Sequence, residues 1–182
     1  MPMDHYFAVC AFEAYQERYL DFLLEHYAEL NLPYDFHVAL SFIGSPILLG
    51  AEAIVCFDGE DEPIAALGCI HGTGENDYRD AEIVQVQTVF IAERYRNTRL
   101  FLQGLQFLTQ HLVQKERPVS EIRFWIPAQA KLQRLCAKLG QRTASVDTHR
   151  GTLEEYRTDF SSLYRYAMRF RHELYDGDSD RS

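Results

Sequence analysis

AEIVQVQTVFIAERYRNTRLFLQGLQFL, residues 81–108, carries the reading of the fold. Over 81–91, Gln85 and Gln87 fall between Val84, Val86 and Thr88 before an apolar end, and this period of two predicts a strand inside a sheet. After a few residues the period changes. Leu102, Leu105, Phe107, Leu108, Leu112 and Val113 give a helix over 98–114 with a broad apolar face, stopped by Arg117 and Pro118. A second strand follows at 120–126, where Ile122, Phe124 and Ile126 alternate, and a second helix at 128–139 with Gly140 as its C-cap. Two strands joined by a helix of this length can pair in parallel, with a right-handed crossover.

Upstream, residues 6–12 read as a short strand. Tyr15, Tyr19, Phe22, Leu23, Tyr27 and Leu30 recur at three and four, which predicts a helix over 14–30 ending at Asn31-Leu32-Pro33. The aromatic stripe on this helix is core or a dimer face, so a homodimer is one expectation. A shorter helix at 34–42 is punctuated by Gly44, Ser45 and Pro46. AEAIVCF (51–57) and PIAALGCIHG (63–72), separated by the acidic turn DGEDE, form a hairpin, and GTG at 72–74 reads as a turn. Downstream, a last hairpin is predicted from 142–148 and 156–170. The chain is expected to be one domain over 1–172 with an acidic tail at 173–182.

Of 182 residues, 18 are basic and 27 acidic, giving a net charge of −9, so a non-specific nucleic-acid binder is disfavoured. Hydrophobic residues at 47% can fill a sizeable core, which excludes a disordered chain. No apolar run approaches the ~20 residues of a membrane span, and the first twenty residues do not resemble a signal peptide, so a cytoplasmic location is expected. Cys10, Cys56, Cys69 and Cys136 are scattered in apolar contexts and read as small buried hydrophobes. The seven histidines show no metal-ligand spacing, and no metal is expected.

The order of elements, with VFIAERYRNTRLFLQGLQFL and LCAKLGQ, resembles the GNAT superfamily of N-acetyltransferases, from about residue 51 to 170. The resemblance implies an α/β (α+β) fold: a mixed, mostly antiparallel sheet of six to seven strands flanked by helices, with strands 4 and 5 parallel and splayed. It also implies an acyl-CoA-dependent N-acyltransferase in which an amine attacks the thioester of acetyl-CoA or another acyl-CoA directly. In the family, R/Q-x-x-G-x-G/A opens a helix whose unpaired N–H groups hold the pyrophosphate. Here Arg94 takes the first position, while Asn97 and Arg99 replace both glycines. Either Arg94, Arg96 and Arg99, with Asn97 and Thr98, replace close backbone approach by guanidinium contacts, or the phosphate site has decayed.

Further roles follow only from the resemblance. The N–H of Phe90 or Ile91 would hold the thioester carbonyl oxygen. Glu82, in AEIV, stands about one residue further from the loop than the family's general base. A β-bulge would have to absorb the difference, and otherwise Glu82 is an exposed strand-edge carboxylate. The family's acidic tyrosine is replaced by Cys136, which is either a proton donor or a core thiol, and Tyr156, Tyr164 and Tyr166 are alternatives. The acceptor would be a small-molecule or peptide amine. A catalytically inactive GNAT-shaped binding or assembly module is the alternative from another class. Thr98–Leu102, TRLFL, is also similar to segments of acyl-homoserine lactone and N-acyl amino acid synthases.

Overall fold

The strand expected at 81–91 is the centre of the molecule. The computed structural model describes residues 4–169, in the order β1 (His5–Val9), α1 (Glu13–Glu25), α2 (Tyr27–Leu30), α3 (Phe36–Leu48), β2 (Glu52–Asp58), β3 (Pro63–His71), β4 (Ile83–Ile91), α4 (Leu100–Val113), β5 (Glu121–Pro127), α5 (Ala130–Leu139), β6 (Gln141–Thr148), β7 (Gly151–Asp159) and α6 (Phe160–Arg169). All seven strands form one sheet in the order β1-β2-β3-β4-β5-β7-β6. β4 and β5 are its parallel pair and every other pairing is antiparallel. The expected tail at 173–182, and the end of the domain at 172, lie outside the described residues.

Each face of the sheet carries its own core. On one, Tyr19, Phe22 and Leu23 of α1 and Ile43 of α3 pack on Val55, Ala66 and Phe90. On the other, Leu108 and Leu112 of α4 and Leu163 of α6 pack on Ile54, Val84 and Ile122. β2 is covered on both faces, which is why AEAIVCF reads as a continuous apolar run rather than an alternation.

Three expectations are corrected. The helix at 14–30 breaks at His26 into α1 and α2, and α2 stops at Asn31 in the left-handed region (φ 48°). The helix at 34–42 runs on through Pro46 to Leu48. The proline has no N–H for the carbonyl of Phe42, but that carbonyl accepts the hydroxyls of Ser45 and of Thr88 on β4, each at 3.4 Å. The strand at 156–170 is β7 only to Asp159, and α6 follows. There the Asp159 carboxylate accepts the N–H of Ser162 at 3.0 Å, an N-cap that starts the helix, and Phe160, Leu163 and Ala167 are buried at helical spacing. Gly140 does cap α5, with extended backbone, because β6 begins at once and a Cβ would stand 2.6 Å from the carbonyl of Arg157.

Tyr19 is fully buried, and its hydroxyl is the one buried side-chain polar atom among the described residues without a partner. An unpaired buried hydroxyl is destabilising, so Tyr19→Phe is expected to stabilise the fold by about 1 kcal/mol. A rise in Tm of about 2–4 °C in thermal denaturation checks this, and a fall contradicts it.

Candidate functional site

β4 and β5 are paired only from Ile83↔Glu121 to Val86↔Phe124. Beyond that level they separate. The cause is a bulge: Gly68 of β3 faces Thr88 and Cys69 faces Val86, so Gln87 is an extra residue on β4. The inserted residue reverses the facing of the strand. Before it, Val84 and Val86 pack toward α4; after it, Phe90 packs toward α1 and Thr88 bonds α3. Val89, in the middle of the central strand, is consequently 46% exposed.

The edge of the gap offers hydrogen-bonding backbone. Ala92 N–H donates to Ile64 C=O at 2.9 Å. By the alternation of an antiparallel ladder, Phe90 and Thr88 also point their N–H groups at β3, and Val89 and Ile91 point theirs into the gap. Of the two donors suggested by the sequence, Ile91 faces the gap and Phe90 faces β3. An apolar cavity of about 60 Å³, lined among others by Ala65, Ala66, Val89, Leu100 and Gly104, lies against this edge beneath α4.

The loop between β4 and α4 closes the open end. Asn97 adopts φ 60°, the left-handed geometry that the missing glycine would supply. Thr98 Oγ1 accepts the N–H of Leu100 at 3.2 Å, and Gln103 N–H is the first to donate inside the helix, to Arg99 C=O. The N–H groups of Phe101 and Leu102 are therefore among the unpaired donors at the start of α4. The arginines divide. Arg96 Nε donates to the gap-facing carbonyl of Ile91 at 2.8 Å, its guanidinium lies 5.3 Å from the Phe90 ring, and it reaches Glu29 of α2 at 3.5 Å. Arg94 lies over the Tyr95 ring. Arg99 is exposed at the N-cap of α4.

Lys131, in the first turn of α5, donates to Asn97 Oδ1 at 2.9 Å across the mouth of the gap. The sequence reading missed it. The topology held the signal, because helices that follow two parallel strands begin at the same edge of the sheet. Neither α4 nor α5 has an acidic residue in its first turn, and each has a cation there or at its cap. That is the reverse of what a helix dipole favours unless an anion sits between them.

The catalytic candidates lie apart. Glu82 is exposed in the turn before β4, four residues or ~13 Å below the closed end of the gap; the bulge at Gln87 falls between it and the loop. Cys136 is buried on α5, where burial first and the Glu154 carboxylate second push its thiol up to about 11. Tyr156 stacks on Phe124 at 5.7 Å, but its hydroxyl donates to Glu154 Oε2 at 3.2 Å, and burial followed by that hydrogen bond raises its pKa. Tyr164 and Tyr166 sit on α6. All four cysteines are buried and free. Among the described residues no cluster of three or more His, Cys, Asp or Glu side chains is placed to hold a metal, and no helix is long and apolar enough to cross a membrane.

No family model and no curated protein matches the chain. Solved structures do. A GNAT-family acetyltransferase from Staphylococcus aureus has a TM-score of 0.62 at 12% identity, covering 86% of this chain and 99% of that one. A spermidine N-acetyltransferase variant from Vibrio cholerae has a TM-score of 0.62 at 10% identity, covering 88% and 96%. A GNAT phosphinothricin acetyltransferase from Sinorhizobium meliloti, in complex with acetyl-CoA, has a TM-score of 0.61 at 15% identity, covering 86% and 89%. The chain has the GNAT fold, as its sequence resemblance implied.

Proposed function

We propose that the protein is an acyl-CoA-dependent N-acyltransferase, in its simplest form an N-acetyltransferase, working on a small-molecule or peptide amine in the cytoplasm. The observation that carries this reading is the central strand opened by a bulge beneath a helix N-terminus flanked by cations. The donor's amide-bearing arm fits the gap as a short strand, bonding the N–H and C=O of Val89 and the N–H of Ile91, whose carbonyl Arg96 already holds. Its phosphates fit the mouth, between the first amides of α4, Arg99 and Lys131. In the reaction the amine nitrogen forms a bond to the thioester carbon, the C–S bond breaks, one proton leaves the nitrogen and one is taken by the sulfur.

The neighbours support this reading in part, since one acts on spermidine and another holds acetyl-CoA. Calorimetric titration with acetyl-CoA tests it. Saturable binding is expected, with affinity falling several-fold between low and physiological ionic strength because the contacts are screened charges. No heat and no thermal stabilisation at millimolar acetyl-CoA would refute donor binding.

One observation favours a donor-binding module without catalysis: Cys136 is buried on α5 and the Tyr156 hydroxyl is committed to Glu154. Release of CoA thiol in the presence of spermidine or an amino-terminal peptide separates the two. Binding with no thiol release from any amine selects the module.

A further inference from the structure

Below the gap, at the base of α4, is a group of ionisable side chains that donor binding does not use. Glu52 of β2 is 2% exposed. Its Oε1 accepts from His71 Nε2 at 3.0 Å and from Lys115 Nζ at 2.9 Å, and its Oε2 from His111 Nε2 at 2.6 Å. Burial alone would raise this carboxyl, but the three donors outweigh it and hold it well below the usual carboxylate range. Glu52 is therefore an anion throughout the physiological range.

His71, the last residue of β3, has a second partner. Its Nδ1 lies 3.2 Å from the carbonyl oxygen of Ala81. A neutral imidazole has one N–H, yet here both ring nitrogens face acceptors. Only the imidazolium satisfies both. Ala81 immediately precedes Glu82, whose carbonyl accepts the N–H of Ser120 at 2.8 Å and, more weakly, of Glu121 at 3.4 Å. The turn that launches β4 is thus bonded to β5 on one side and to His71 on the other.

We propose that protonated His71 is a pin that fastens this turn, and through it the starts of β4 and β5, to the buried Glu52 between β2 and α4. When the proton leaves, one N–H remains for two acceptors. The carboxylate is the stronger acceptor and keeps it, so the Ala81 carbonyl is released. The groups around the ring are Glu52 from β2, His111 of α4 and Lys115 just past its end, which share that carboxylate, and the turn itself, where Asp80 is engaged by Thr73 and Asn76 and Glu82 is exposed. The hydrogen bond to Glu52 raises the imidazole pKa, against burial and the charge of Lys115. With the folded pKa above the unfolded value of ~6.5, the pin's stabilisation is complete below ~6.5 and is lost as pH rises through the folded pKa.

Amide exchange across pH 5.5–9 tests this without any ligand. The ring of His71 is titrated by NMR in the same samples, and exchange is corrected for its intrinsic pH dependence. Protection of Ile83, which donates to Asp80 C=O within the turn, and of Ser120 is expected to fall about three- to tenfold as the His71 ring loses its proton, the worth of one hydrogen bond. In His71→Gln it should be low and flat, and in His111→Gln the wild-type pH dependence should persist. Constant protection while the ring titrates would overturn the proposal, as would an unchanged pH dependence in His71→Gln. If His71→Gln does not fold, the wild-type coincidence of the two midpoints decides.

Discussion

Affinity for acetyl-CoA falls by about a hundredfold or more when Arg99 and Lys131 are both replaced by alanine, while Tm stays within about 1 °C or rises slightly. The affinity estimate follows from two charge-assisted contacts worth ~1.5–3 kcal/mol each. The stability expectation follows from position. Both cations stand at the positive ends of helices, so without an anion their removal relieves repulsion. The sequence grouped Arg99 with Arg94 and Arg96, but Arg96 is bonded to Ile91 C=O and lies over the Phe90 ring. With its guanidinium already engaged there, Arg96 adds only a distant, screened charge, and Arg96→Ala should weaken binding only about threefold. Calorimetry on the three variants decides. Retained affinity in the double variant removes the mouth of the gap as the phosphate site.

The second large effect is on stability. Gly68→Ala is expected to cost about 3 kcal/mol, lowering Tm by about 6–12 °C. An added Cβ would meet Tyr19 Oη at 2.1 Å and Pro46 Cγ at 2.6 Å, and both residues are fully buried and cannot retreat. Removing the hydroxyl removes the closer clash. Tyr19→Phe should therefore recover more in the Gly68→Ala background than it gains alone, with a coupling of about 1 kcal/mol. Strict additivity in denaturant melts would show that Pro46 alone carries the clash.

Gly68 also explains what could be read from sequence. The period-two pattern at 81–91, the helix after it and the short link between them placed β4, β5 and α4 correctly, because each is governed by local periodicity. The bulge is not local. Gln87 looks like any alternating strand residue, and it becomes an insertion only against Gly68 and Cys69 on β3. For the same reason the split roles of Arg96 and Arg99 were invisible, since the partners of Arg96 lie on β4 and α2. Pro46 and the aromatic stretch 160–169 misled in opposite directions. One helix survives its proline through a hydroxyl from β4, and the other begins at a carboxylate cap that outweighs its strand-like composition.

The insertion at Gln87 has a consequence for how the chain assembles. It puts the lower half of β4 in phase with the layer of α4 and the upper half in phase with the layer of α1 and α3. A β4 without the insertion would turn Thr88 and Phe90 toward α4, so the layer of α1 and α3 would lose both partners. The residue that opens the cleft is thus also the one that aligns β4 with α1 and α3, and deleting it should cost stability along with the binding site.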